Sequence, residues 1–343
     1  MTATIDSAPD APVEPGDSHA QARSERLTGG WRIVARKEFA DHVHSVRFVI
    51  LVVLVALAGL ASVHSASGPI RAAASATTDV PSIFLYLFTL APDRVPAFHE
   101  FIAILGPLLG IAFGFDAVNG ERSQRTLPRL VSQPIHRDEV INGKFVAGLG
   151  DIALALAAVM LVVAGYGMLR LGIGPTAGEV VRMVAFFIVA VVYIALWLAL
   201  AMLLSVVTRR GATAALAGIA IWLVFTLFGG LIAGLVADTV HPVPAANPST
   251  EDVLNNARLE QTVKRFSPSE LYQEATGVLL NPSRQTTGLV VETDPTISQA
   301  LPSTLALSES LVLAWWQVAV LVGGVVVLFA GAYYAFMRQE VRA

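Results

Sequence analysis

The chain of 343 residues contains no cysteine. That absence excludes disulfides, zinc thiolates, iron–sulfur ligation and cysteine nucleophiles. Charge is also scarce. Only 14% of residues are charged against 55% hydrophobic, which lies outside the range of a soluble domain. The net charge of −3 is too small to indicate a nucleic-acid partner. No phosphate-binding loop is present, since Gly143–Lys144 is followed by Phe145 and Asp138 stands where the first glycine is required. His99–Glu100 is not followed by a second histidine at metalloprotease spacing, and no nucleophile elbow occurs. His42 and His44 are two apart, so one helix would point them in different directions. No catalytic residue and no metal site is expected.

What the chain has in abundance is long apolar runs. A bilayer span needs about 20 mostly apolar residues. Six stretches qualify, at about 48–65, 98–118, 145–169, 180–207, 212–236 and 311–337. Backbone amides in lipid have to be satisfied within the segment, so each is expected to be a helix. The reading is an all-α polytopic membrane protein with six transmembrane helices. Arg32, Arg36, Lys37, Arg47, Arg209, Arg210, Arg338 and Arg342 fall on the same side as the loop after the second span. Arg71, Arg94, Arg170 and Arg182 are thinly spread on the other. The richer side is expected to be cytoplasmic, with both termini inside and the chain in the cell membrane. Residues 1–30 are polar and lack an apolar core, so they are expected to form a disordered cytoplasmic tail rather than a signal peptide. Residues 31–343 form the membrane domain.

Three segments do not span. In "GGWRIVARKEFADHVHSVR", Trp31, Val34, Ala35, Phe39 and Val43 recur at helical spacing, with Arg32, Arg36 and Lys37 off that face. This predicts an amphipathic helix in the cytoplasmic interface, or else a cationic flank that orients the first span. Residues 238–309 are polar and predict two helices. One starts at Ser249, with Asp252 three residues on, and the other starts at Ser267–Pro268. They would serve as a lid over the fifth and sixth spans, or as a platform or gate. The third segment lies between spans two and three.

Charge inside the spans points to transport or proton chemistry when it sits deep. Here Asp116 and Asp151 are shallow, which suits ion-pair anchoring better than a proton relay, and no charge sits at mid-membrane. The second span carries Gly106, Gly110 and Gly114 at every fourth position, and the fifth carries Gly230 and Gly234. Such spacing lets helix backbones approach closely, unless the glycines are merely tolerated.

The loop after span two carries Arg122, Arg125, Arg129, Arg137 and Lys144 against Glu121, Asp138 and Glu139. Within it "TLPRLVSQP" predicts one short helix with Thr126 as cap, Pro128 in the first turn and Pro134 ending it. Leu127, Leu130 and Val131 form an apolar ridge flanked by Arg125 and Arg129. A ridge of this kind fits a groove on another protein; a solvated loop would explain the arginines alone.

The stretch "DAVNGERSQRTLPRLVSQPIHRDEVINGKFV" resembles the permeases of the ABC-2 family of ABC transporters. Those combine Gly-Glu-Arg, Thr-Leu, Leu-x-x-Pro and a Gly-Lys entering the third span. The likeness extends over nearly the whole chain. "SPSELYQEATGVLLNP" is similar to the subtype that serves multicopper-enzyme and nitrous oxide reductase maturation. Arg125 departs from the pattern, because the family commonly has glycine before Thr-Leu.

The resemblance implies a membrane subunit that binds no cofactor itself. It would pair with a second copy or a paralogue and rest on separate ATPase subunits that hold ATP and magnesium. Residues 121–138 would be the coupling helix. Its contact residues would be Glu121, Arg122, Arg125, Thr126, Leu127, Arg129, Leu130, Pro134, Arg137 and Asp138. Gly143 and Lys144 would begin span three, and Trp31, Arg32, Arg36, Lys37 and Phe39 would belong to a connecting elbow helix. The pathway would run between the second and fifth spans of the dimer, with export the expected direction. The competing reading is a polytopic scaffold or membrane enzyme without a transport cycle.

Overall fold

The computed structural model describes residues 29–76, 82–92, 95–123, 136–244, 246–247, 249–284, 286–287 and 304–338. Among these every regular element is helical. Six helices are long and apolar enough to cross a bilayer, which makes the chain an all-α multi-pass membrane protein.

Helix α1 (Gly30–Val43) precedes the first span, α2 (Val46–Ala76). α2 runs past the apolar stretch into small residues and tolerates Pro69. A 3₁₀ turn (Ile83–Leu85) and the short α3 (Tyr86–Thr89) lead to the second span, α4 (Phe98–Gly114). The short α5 (Asn119–Ser123) follows. The third span, α6 (Arg137–Leu171), starts eight residues ahead of the apolar stretch that predicts it, because Glu139 accepts the His136 N–H and caps the helix there. It ends at Gly172 with φ 73°, a left-handed stop that a side chain would strain.

The fourth span, α7 (Ala177–Val207), opens on a reciprocal cap. Thr176 Oγ1 accepts from Glu179 N, and Glu179 Oε2 accepts from Thr176 N at 2.7 Å. The fifth span is broken into α8 (Gly211–Leu223), a π turn (Val224–Phe228) and α9 (Gly229–Val240). Then come α10 (Thr250–Lys264) and α11 (Pro268–Leu280), and the sixth span is α12 (Leu307–Met337).

The core lies around α7. Tyr193, Trp197 and Phe186 on it are fully buried against α4, α11 and α12. The glycines of α4 set one contact. A Cβ on Gly110 would lie 2.6 Å from the Ile194 carbonyl oxygen, and one on Gly114 would lie 2.7 Å from Ala201 Cβ. Gly106 faces Ile194 side-chain carbons at 3.0 Å. Pairing in lipid depends on this closeness, because apolar burial drives little once the solvent is itself apolar. Gly230 and Gly234 differ. No atom lies within 4 Å of a Cβ built on either, since the fifth span is peripheral and buries little beyond Ala214, Gly218, Ala233 and Ala237.

The segment between spans five and six packs on both of them, and its second helix also goes deeper. α10 rests on α9, while α11 is sunk among α12, α7 and α4. Tyr272 stacks on Tyr193 with ring centroids 4.5 Å apart. Tyr193 lies about 24 Å along α7 from its first residue, so α11 reaches well into the bundle. Arg182 anchors its end by donating to Leu279 O at 2.9 Å, to Ser310 Oγ at 3.1 Å and to Leu305 O. Glu274 anchors its middle, accepting from Arg265 Nε, Gln261 Nε2 and Gln317 Nε2 at 2.9, 2.8 and 3.1 Å. A cation at a helix C-terminus and a carboxylate with three donors satisfy groups that burial would otherwise penalise.

Candidate coupling site

At the opposite end of the bundle, α5 and the start of α6 flank residues 124–135. Arg125, Thr126, Leu127, Arg129, Leu130 and Pro134 lie outside the described residues, as does the side chain of Arg122. What is described is how the two flanks are held.

The flank leaving α4 is held by α7. Ser205 Oγ accepts the backbone N–H of Val118 at 3.1 Å and of Asn119 at 3.2 Å, and the Asn119 amide donates to Thr208 Oγ1 at 3.2 Å. Arg47, at the start of the first span, reaches Asp116 at 2.7 Å and lies over the Phe115 ring.

The returning flank is held by α1, which lies against α6. Arg137 and Asp138 stand in the first turn of α6, and Gly143 and Lys144 stand about two turns in. Gly143 is where the backbones meet: a Cβ there would sit 2.7 Å from Val34 Cβ and 2.8 Å from Trp31 O. Glu139 Oε1 accepts from the backbone N–H of Gly29 at 3.3 Å and of Gly30 at 3.0 Å. It thus places a negative charge at the N-terminus of α1, where unpaired N–H groups favour it. Lys144 Nζ contacts Glu38 Oε1 of α1 at 2.9 Å and Glu121 Oε1 of α5 at 3.3 Å, with its side chain 6% exposed. One buried ammonium therefore joins α1, α5 and α6, and so joins both flanks of 124–135. Charges this buried need their partners, and removing one leaves the others costly.

A second link lies deeper. His42 Nδ1 is 2.6 Å from Asp151 Oδ2, and its ring stacks on Phe113 of α4 at 5.8 Å. Asp151 is fully buried. Burial lowers the His42 pKa, but the hydrogen bond and charge of Asp151, with Glu38 and Asp116 further off, raise it more, so the net shift is upward. His44 serves a separate partner, the carbonyl of Ala40, so the two histidines do not converge. Lys37 pairs with Asp41 at 3.1 Å; burial lowers its pKa, and Glu38 and Asp41 raise it by more. Phe39 packs on Gly150, Arg32 lies over Trp31, and Arg36 is exposed.

The sequence placed charges at this end but not their pairing. Glu38 and Glu139 do most of the clamping, yet in the sequence Glu38 belongs to no motif and Glu139 only balances the arginines of its loop. Glu139, three residues after His136 at the foot of an apolar run, carried a cap signal that could have been read.

The family model for ABC-2 family transporter proteins matches residues 32–341. No curated protein matches the chain.

Proposed function

We propose, from the premise that the chain belongs to the ABC-2 family of transporter proteins, that it is the membrane subunit of an exporter worked by separate ATPase subunits. Family membership makes it an ABC-transporter permease embedded in the membrane by six helices. In our reading, residues 121–138 dock on the ATPase, through Leu127 and Leu130 with Arg125 and Arg129 beside them. The observation that carries this reading is the Lys144 junction. A push on 124–135 reaches α5, α6 and α1 together, because one buried ammonium ties Glu121 to Glu38. A segment tethered at both flanks passes displacement to the spans, whereas a free loop would absorb it. The two-state element is then the bundle, biased by nucleotide on the partner.

A second copy or a paralogue would pack on the sparsely covered fifth span, with the pathway between the second and fifth spans of the pair. Both termini would be cytoplasmic. The buried α11, "PSELYQEATGVLL", supports the narrower kinship with permeases of multicopper-enzyme and nitrous oxide reductase maturation.

Affinity purification of the full chain in mild detergent tests this. An ATP-hydrolysing subunit should co-purify, and Leu127→Asp or Leu130→Asp should release at least nine-tenths of it while the chain still elutes as the parent does. If no nucleotide-binding protein co-purifies, or both variants retain ATPase activity at the parent level, the coupling assignment fails and the scaffold reading replaces it.

A further inference from the structure

At the end of the bundle opposite the Lys144 junction, a cavity of about 160 Å³ lies between α4, the broken fifth span and the start of α11. Its walls differ in character. Ala103, Ile104 and Phe225 make one side apolar, while Ser269, Glu270 and Gln273 make the other polar, with Lys264 at its edge held by Glu260. The π turn forms the junction. A π turn widens a helix by one residue and is frequent at functional sites. Here it brings Phe225 and Thr226 to the cavity and is followed by Gly229 and Gly230, which also line it. Nothing lies within 4 Å of a Cβ built on either glycine, so the space there is open.

Glu270 is the group without an evident task. It stands at the third position of α11. At that position Glu100, Glu139, Glu179, Asp252 and Glu309 each accept the N–H at the head of their own helix. The corresponding N–H of Ser267 already donates to Lys264 O at 2.8 Å, which leaves Glu270 unused as a cap. Among the described residues the Glu270 carboxylate makes no hydrogen bond or ion pair. Of the nearby cations, Lys264 pairs with Glu260 at 2.6 Å and Arg265 with Glu274 at 2.9 Å, while Arg284 lies over Gly277, about two turns further along α11. Burial, and then the charge of Glu274, push its carboxyl up, while Lys264, Arg265 and Arg284 oppose that more weakly. A carboxylate in such surroundings is stabilised by a cation that comes to it.

We propose that this cavity binds the head of an amphipathic organic amine, with Glu270 taking the ammonium, Gln273 and Ser269 offering hydrogen bonds, and Phe225 and Ile104 covering the adjoining carbons. The cavity is large enough for a head and too small for a long chain. The tail leaves along the fifth span, where Phe228 and Leu231 are exposed. The site draws on the transporter reading only for its purpose, since binding needs neither ATPase nor nucleotide.

The test is a fluorescence titration of the full chain in detergent micelles with monodansylcadaverine. N-acetyl monodansylcadaverine serves as a neutral arm and dansyl-aminohexanoate as an anionic arm. The amine should bind saturably and at least tenfold more tightly than either other arm. Glu270→Gln, close to isosteric, should weaken it at least tenfold, and Gly230→Leu, which fills the cavity, should abolish it. Glu251→Gln, an exposed acid on α10, should leave it unchanged. Each variant is first shown to elute and melt as the parent does, and Glu270→Asp, which keeps the charge on a shorter arm, should fall between parent and Glu270→Gln. Equal binding of the acetylated probe, or Glu270→Gln within twofold of the parent, overturns the proposal. Either result leaves the ATPase partnership standing, and loss of that partnership leaves the amine site standing.

Discussion

The second and fifth spans carry the same motif and use it differently. In α4, Gly106, Gly110 and Gly114 let α7 approach until a single added carbon would meet Ile194 side-chain atoms at the first and backbone atoms at the other two. In the fifth span, Gly230 and Gly234 meet nothing within 4 Å. Glycine at every fourth position is thus permission for close packing, and whether it is used depends on what the topology brings alongside. α4 meets α7 from Phe98 against Phe186 to Gly114 against Ala201, while the fifth span packs its first half on α4 and rests α10 on its second. The break at Val224–Phe228 separates those halves.

The largest expected effect tests the buried side of this contrast. Gly110→Leu places carbon within 2.8 Å of Ile194 O, Leu198 N and Trp197 Cβ, two of them backbone atoms that cannot turn aside. Overpacking of this kind costs about 3 kcal/mol. The folded monomer peak in size-exclusion chromatography after brief heating should fall sharply; a peak equal to the parent's would show that α4 and α7 are not locked at this point.

An intermediate effect separates packing by shape from packing by charge. The glycine contact has no ion pair, whereas the α1–α6 contact has His42 against Asp151 at 2.6 Å. The folded pKa of His42 is raised above its ordinary 6.5. Its stabilisation is therefore fully present below that ordinary value and is lost as pH rises through the raised folded value. The contribution is about 1 kcal/mol, since the ring is partly exposed and its charge partly screened. Hydrogen exchange in α1 should speed up with rising pH, after correction for the intrinsic rate, more in the parent than in His42→Gln. Matching profiles for the two would remove the clamp from the account. The α4–α7 amides should show no such difference.

The smallest effect lies on the exposed side. Gly234→Leu should change the melting of the isolated chain by no more than about 0.5 kcal/mol, as at other surface positions. If the fifth span is where a second copy packs, the same variant should shift the full complex from dimer to monomer by mass measurement in detergent. A destabilised monomer would show that the fifth span has a partner within the chain, and an unmoved dimer would place the contact elsewhere.

Much of the fold could be read from residue order. Runs of apolar residues at 98–118 and 180–207 predict helices because lipid leaves the backbone no other way to satisfy its amides; α7 covers the second range and α4 the first as far as Gly114. Less was legible at the ends. The third span begins at Arg137 because Glu139 caps it, a local cue masked by the polar composition of the segment. The depth of α11 was not legible at all. Its pattern of Leu271, Tyr272, Ala275, Val278 and Leu279 predicts one apolar face, yet Glu274, Thr276 and Gly277 on the remaining faces are buried too. Glu274 tolerates that only because Arg265, Gln261 and Gln317 converge on it from other helices.

The candidate coupling site divides in the same way. Its charges stand in plain view from Glu121 to Lys144, but the nearer of the two partners of Lys144 is Glu38, on a helix that precedes the first span. Composition and order alone decided that this chain enters a membrane six times and gathers charge between the second and third spans, because hydropathy and backbone hydrogen bonding act within each segment. Only tertiary structure decided which glycines are pressed against a neighbour, which acid is left facing a cavity and which lysine joins the two flanks of one loop. Those outcomes depend on which residues distant in the chain come within a few ångströms of each other, and no property of a single segment specifies that.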